Sequence, residues 1–467
     1  MSGSFGSLAF YLLLALAWLA WAMAPARWRP WSLAAASLVF VLALGQPLVP
    51  VALILLTVVV WAAGRRSLSK GPAWAVAGIV ASAAVLLAVR AALLLGTERA
   101  WISALGVSYF TLQAIAYLAD LALGTQAEAA PFLDVWLYLA WFPKFAQGPF
   151  ERCEPFQAQV RRSAEGPRAQ DLRQGLLLLA WGLFEKMVVA ERMAALADAA
   201  FGADGGGTGP RLWGASYAFA VRLFADSAAY NDMARGASLL FGLGLTNNFN
   251  APFLATSITD FWRRWHISLS EWVRDYIFSP LQILWRSWPT AGTVAAMFIA
   301  FTAVGLWHGS GLGYLLMGMF YGVCMGWGLL TRGWRKKFWR NLGQEKGALR
   351  QAYDVVATFH LVCLSFLCFQ AADRAGLLAQ ARAASKGWGA GWPTQFWMGL
   401  SGGLGAQEVA LAWGSVAVLL AAYLAGRKLD LLTAPAWLRY PAYAALTLGL
   451  LFFGRYFAAQ GFLYARF

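Results

Sequence analysis

Only three histidines occur in 467 residues, His266, His308 and His360, and histidine is the side chain whose ordinary titration best suits proton transfer near neutral pH. His308 lies in Gly305-Leu306-Trp307-His308-Gly309-Ser310-Gly311, with long apolar runs on both sides. Small neighbours let backbone and ligand approach closely, and an ionisable group between apolar runs points to function. The chemistry open to it is general base catalysis, removal of a proton from a hydroxyl as the oxygen attacks an activated carbonyl. A neutral imidazole satisfied by a backbone carbonyl is the competing reading, and the residues alone leave both open. There is no Walker A loop or HExxH pair, and the GxG of Gly242 and Gly244 opens no phosphate loop. Group transfer would therefore use a general base, or a nucleophile on a partner.

His266 lies in Phe261-Trp262-Arg263-Arg264-Trp265-His266-Ile267-Ser268-Leu269-Ser270-Glu271-Trp272-Val273-Arg274-Asp275-Tyr276. Trp262, Trp265, Leu269, Trp272 and Tyr276 recur at helical spacing, while the arginines fall largely elsewhere. This spacing predicts one amphipathic interfacial helix. A membrane-surface anchor needs nothing beyond that pattern. The alternative is that Arg263 and Arg264 hold donor phosphates, whose oxygens match guanidinium forks. Asp275 would sit more than two turns from His266 on a straight helix, which makes it an arginine partner rather than a carboxylate orienting the ring. His360, alone in an apolar run, reads as a packed structural histidine.

The elements that must position these residues read as membrane spans. Hydrophobic residues make up 60% of the chain and charged residues 13%, against about 25% charged in a soluble domain. A water-soluble fold would lack the polar surface to cover itself. Apolar runs approaching the ~20 residues of a span recur at 8–24, 73–95, 176–189, 291–306, 312–330, 355–369, 409–425 and 443–457, with a short pair at 32–44 and 48–63. The less regular stretch 102–123 reads as re-entrant, and Pro143, Gly148 and Pro149 break the run at 137–150. The segments 151–173, 332–350 and 370–408 read as connecting loops, and a glycine-rich loop covers 202–209. The net charge of +15 gathers in short connectors, as the positive-inside rule requires, and forms no separate nucleic-acid module. Arg27 and Arg29 follow the first run, which makes it a retained span with its N-terminus outside rather than a signal peptide. Arg427 and Lys428 mark the cytoplasm, and the C-terminus falls outside. The four cysteines form no CxxC pair, disulfide framework or metal site. The expected fold is an all-α polytopic membrane protein of roughly ten to twelve transmembrane helices, with re-entrant and interfacial helices around a central funnel or tunnel. It forms one domain over 1–467, with N-terminal spans (1–100), a catalytic core (101–331) and C-terminal spans (332–467).

The run Asn248-Phe249-Asn250-Ala251-Pro252-Phe253 leads through Asp260 into the His266 segment, and Leu306-Trp307-His308-Gly309 follows. This block resembles the membrane-bound O-acyltransferase family, in its bacterial branch. That branch contains the alginate and peptidoglycan O-acetyltransferase membrane subunits and the teichoic acid D-alanyl transfer protein. Ser108-Tyr109-Phe110, Phe142-Pro143 with Gly148-Pro149, and Gly182-Leu183-Phe184-Glu185-Lys186 extend the likeness over most of the chain. It departs at Asp226-Ser227-Ala228-Ala229-Tyr230, at Tyr321 and at Gln370. The resemblance implies that His308 is catalytic and His266 assists. It implies that Trp307, Arg263, Arg264, Trp265, Ser268, Asn250 and Asp232 contact substrate or donor. No bound cofactor is expected; the donor is acyl-CoA, acetyl-CoA in the simplest case, or a carrier-protein thioester. The expected setting is the bacterial inner membrane and its lipids, with a polysaccharide acceptor and an extracytoplasmic acetyltransferase or esterase-like partner. Rival readings are D-alanyl transfer to teichoic acid, a transporter or channel, and a subunit that only anchors a soluble acetyltransferase.

Overall fold

The computed structural model describes residues 7–94, 106–202, 207–309, 311–371, 373–426 and 430–456. The start of the expected re-entrant stretch, half of the glycine-rich loop, Ser310, the Arg427–Lys428 marker and both chain ends lie outside the described residues. Among the described residues every regular element is a helix, and the only strand-like pairing is an isolated antiparallel bridge between Phe249 and Trp265.

Among the described residues five helices are long and apolar enough to cross a membrane: Leu48–Lys70, Pro289–His308, Leu312–Leu330, Ala348–Ala371 and Ala406–Gly426. Leu8–Met23 and Ala73–Val89 are shorter apolar helices. Large apolar side chains such as Leu55, Val80, Leu306 and Leu420 point outward along them. An outer surface of this kind suits hydrocarbon, because the helices satisfy their own backbone groups.

At the centre lies a 31-residue helix, Gly209–Leu239, buried along nearly its whole length. Small residues make that burial possible by letting neighbours close in from several sides. A Cβ on Gly214 would come within 2.3 Å of the Phe396 carbonyl oxygen, and one on Gly399 within 2.1 Å of the Arg211 carbonyl oxygen.

Three segments expected as loops are largely helical. Cys153–Ser163 is a helix that buries Cys153, Phe156, Gln157, Val160 and Ser163 at spacings of one, three and four. Arg332–Asn341 is a basic amphipathic helix that buries Trp339. The stretch 370–408 carries Arg374–Ala384 and Trp392–Ser401, and the second of these packs on the central helix. All three are shorter than a span, so a search for span-length apolar runs passes over them.

The 289–308 and 312–330 helices form a tight hairpin. A Cβ on Gly305 would lie 2.4 Å from the Tyr314 carbonyl oxygen, and one on Gly318 lies 2.3 Å from that of Phe301. The two backbones therefore touch directly beside His308, which is the last residue of the first helix.

Candidate active site

Every fourth residue of Pro289–His308 from Gly292 onward (Gly292, Ala296, Ala300, Val304 and His308) is buried, because residues four apart share one helix face. His308 ends that stripe at 4% exposure. Its ring lies edge-on to Trp307 at 4.8 Å between centroids and to Phe369 at 5.5 Å. The indole of Trp307 also meets the His266 ring edge-on, at 6.2 Å. One aromatic ring thus contacts both histidines. Tyr109 and Phe150 close the cluster. They stack on each other at 4.8 Å, Phe150 stacks on His266 at 6.0 Å, and Tyr109 Oη lies 3.4 Å from His266 Nε2.

The predicted continuous helix through His266 is broken at His266 itself. Ile258–Trp262 and Ile267–Val273 are separate short helices, and a wider turn follows at Arg274–Phe278. His266 joins them in the left-handed region, φ 46° and ψ 54°. His266 and Ala251 are the two non-glycine residues with positive φ among the described residues. Such a conformation costs of order 1–3 kcal/mol and persists only where the surroundings impose it. The Asn248 segment imposes it here. Asn250 N donates to Arg264 O at 2.9 Å, Ile267 N to Asn248 O at 3.1 Å, and Ser268 N to the Asn248 side-chain oxygen at 3.0 Å. Asn248 N is held in turn by Asn231 Oδ1, and Ser268 Oγ accepts from Phe150 N. The Trp262, Trp265, Leu269 and Trp272 stripe is real, but it is buried in the protein core rather than in a lipid surface.

Burial pushes the His266 pKa down to about 4, so its ring is neutral at physiological pH. The unfolded chain would take up a proton at this position below about pH 6.5, where the native chain does not. Native stability should therefore fall as pH drops from about 6.5 towards 4, by up to about 1.4 kcal/mol per pH unit from this group. Thermal melting of the solubilised wild type and of His266→Phe across that window checks the sign. The phenylalanine variant should show a shallower acid decline, and an unchanged decline would remove His266 as its source.

A cavity of about 350 Å³ lies against the segments that carry the two histidines, lined by Trp262, Arg263, Ser270, Glu271 and Arg274 and by apolar residues that include Met297, Ala300, Phe301 and Val304. Ala300 and Val304 belong to the His308 stripe, so the wall at Val304 is one turn, about 6 Å, from the imidazole position. Arg263 is exposed and lines the cavity. Buried Trp262 also lines it, with an indole N–H that has no acceptor among the described residues.

The other expected contact residues are placed differently. Arg264 pairs with Asp260 at 2.9 Å. Trp265 is core, packed on Phe249, Phe261 and Phe366. Ser268 is part of the backbone clamp, and the exposed Asn250 contributes to it through its main chain. Asp232 pairs with Arg235 at 2.8 Å, and its neighbour Asn231 is the one that reaches the clamp. Asp275 pairs with Arg152 and Arg274, as its spacing suggested. His360 is exposed rather than packed, and it is bonded to Val356 O and Tyr217 Oη at 2.7 Å each.

Residue-type reasoning missed Tyr109, Phe150, Asn248, Trp262 and Arg274 as site residues. The Ser108-Tyr109-Phe110 and Gly148-Pro149 signals lay beside two of them without showing that they meet at His266.

The family model described as the membrane-bound O-acyltransferase family matches residues 108–370, a stretch that holds every residue of this cluster. The chain is similar to a probable alginate O-acetylase of Pseudomonas aeruginosa, 32% identical over 219 residues, covering 47% of this chain and 41% of that protein. It is similar to a peptidoglycan O-acetyltransferase of Helicobacter pylori, 30% identical over 253 residues, covering 47% and 46%. A teichoic acid D-alanyltransferase of Bacillus subtilis is 29% identical over 279 residues, covering 57% and 69%. The matched part of the chain thus spans less than half the length of the two O-acetyl-transferring relatives.

Proposed function

We propose that this chain, which belongs to the membrane-bound O-acyltransferase family, is a membrane O-acyltransferase that moves an acetyl group from a thioester donor to a hydroxyl. The hydroxyl belongs to a cell-surface polysaccharide, or to a partner acetyltransferase that passes the group on. The observation that carries this reading is Trp307 in edge contact with both His266 and His308, beside a cavity with arginines in its wall.

The donor enters that cavity with its phosphates at Arg263 and Arg274, whose guanidiniums match phosphate oxygens. The acyl end points along Ala300 and Val304 towards His308. His308 takes the proton of the acceptor hydroxyl as the oxygen bonds to the thioester carbon. The carbon–sulfur bond then breaks, and the departing thiolate takes the proton back from the imidazolium. Neutral His266, fixed by its clamp, orients Trp307 and the acceptor side of the site. A thioester is already activated, so a base and a positioned hydroxyl supply what the reaction needs.

The test is release of free thiol from acetyl-labelled coenzyme A by the purified, lipid-reconstituted chain, with label recovered on a hydroxyl acceptor. Absence of release from any short acyl thioester would sink the reading. D-alanyl transfer is the second reading, favoured by the longer match to the Bacillus relative. It predicts turnover of a carrier-protein thioester and none of acetyl-CoA.

The two arginines of the motif should separate cleanly. Arg263→Gln should raise KM for a coenzyme A thioester about tenfold with little change in kcat, the mark of lost ground-state binding. Arg264→Gln should leave KM within about twofold, because that guanidinium is committed to Asp260 and surface pairs are worth about 1 kcal/mol at most. Steady-state kinetics of the two variants side by side decide it, and equal effects would remove Arg263 as a phosphate contact.

A further inference from the structure

The helices Ala169–Phe184 and Ala436–Phe453 run parallel, with their C-terminal ends in contact. A Cβ on Gly449 would lie 3.7 Å from the Phe184 ring, and Arg455 N donates to Met187 O at 3.1 Å. The C-terminal ends are therefore closed on each other. Towards their N-terminal ends the two helices part around a cavity of about 400 Å³, with Arg173, Leu177 and Ala180 on one wall and Arg439, Tyr443 and Leu446 on the other. Each wall starts at an arginine and turns apolar by its seventh following residue, about 10 Å further along the axis. The wedge is thus basic at its open end and apolar beyond.

Among the described residues no carboxylate lines it. Neither Arg173 nor Arg439 forms an ion pair among the described residues. The Arg439 guanidinium lies over the Tyr440 ring at 5.1 Å, and its one carbonyl acceptor is Leu432 O at 3.3 Å. Two guanidiniums without a counter-charge, above an apolar slot, ask for a ligand with an anionic head and a hydrocarbon tail.

We propose that this wedge binds an anionic phospholipid, with the phosphate between Arg173 and Arg439 and one acyl chain along Leu177, Ala180 and Leu446. A zwitterionic lipid would bring an ammonium beside two guanidiniums. A soluble phosphate would leave the apolar slot unfilled. The leaflet follows from the same charges: basic rims beside apolar helices face the cytoplasmic side, where anionic lipids concentrate. The site stands on helices outside the histidine cluster and does not depend on the acyl-transfer reading.

The test uses the full chain in mild detergent, with phosphatidylglycerol and phosphatidylethanolamine of matched chains offered together and bound lipid counted by native mass spectrometry. One phosphatidylglycerol per chain should be retained with at least a tenfold preference. Arg173→Gln with Arg439→Gln should abolish the preference. Ala180→Trp, which fills the slot and leaves the charge intact, should lower retention at an unchanged lipid-free melting temperature. Three results would each overturn the proposal: equal retention of the two lipids by the wild type, an undiminished preference in the double variant, or displacement of the lipid by an equal concentration of inorganic phosphate.

Discussion

His308→Ala is expected to lower acyl transfer by about 10²–10⁴-fold, the range a positioned general base supplies, in a protein that still folds. The ring sits at the end of its helix, where Gly309 already ends the regular structure, so its removal breaks no backbone bond. The loss should fall on kcat, because the base acts on the acceptor proton after the donor is in place, and KM for the thioester should stay within about threefold. His308→Gln is the companion variant, since it keeps polarity and bulk without a group that titrates near neutral pH. Both should be equally dead if proton transfer is the function, whereas glutamine should restore turnover if the ring only fills space between Trp307 and Phe369. Thiol release by the two variants measures the difference. In cells, polymer acetylation should vanish in a His308→Ala strain with normal protein levels. A subunit that only anchors a soluble enzyme would leave acetylation intact, and a channel would show no thiol release in the wild type.

His308 stands out in the sequence because it breaks a local rule: one imidazole lies between two apolar runs, where few polar groups persist without a task. The spans were legible for the same reason, since apolar length is a local property. His266 was legible as a residue but not as a conformation. Trp262, Trp265, Leu269 and Trp272 recur at helical spacing and are buried together, so the spacing predicts the shared face but not the break within it. The break is imposed by Asn248 and Asn231, which lie far along the chain and act through backbone hydrogen bonds that no periodicity records. The same limit hid Tyr109 and Phe150, which reach His266 only when separate segments close around it. It also hid Trp392–Ser401, whose ten residues are too few to register as a span but pack through Gly399 onto the central helix. Asn248 and Asn250 show the limit most sharply. They stand two residues apart in one motif with the same side chain, and only the fold tells which of them turns inward.

Those two asparagines give the second large effect. Asn248→Ala removes the side-chain oxygen that accepts from Ser268 N at 3.0 Å, and the buried N–H left behind costs about 1–3 kcal/mol. That bond is also one of those holding His266 at positive φ, where a non-glycine residue is strained by a comparable amount. With the clamp loosened, right-handed backbone at 266 becomes the lower state, and Ile258–Trp262 can run on into Ile267–Val273 as the residue spacing predicts. The imidazole then swings away from Trp307 and Phe150. A displacement of about 1 Å in a positioned group can cost 10²-fold in rate, so Asn248→Ala should lower acyl transfer by about 10–100-fold along with its loss of stability. Asn248→Asp keeps an acceptor at the same place and should recover most of both. Asn250→Ala should change stability by no more than about 0.5 kcal/mol and leave the rate alone, because Asn250 contributes its main-chain N–H while its side chain faces outward. His266→Gly relieves the backbone strain, since glycine adopts this conformation freely, but it empties the ring's place among Tyr109, Phe150 and Trp307, so the chain should melt lower than wild type and lose the ring's contribution to the rate. Melting temperature and thiol release across the four variants read the two effects separately. Should Asn250→Ala prove as damaging as Asn248→Ala, the clamp does not hold His266 as described, and the link from this motif to the orientation of Trp307 fails with it.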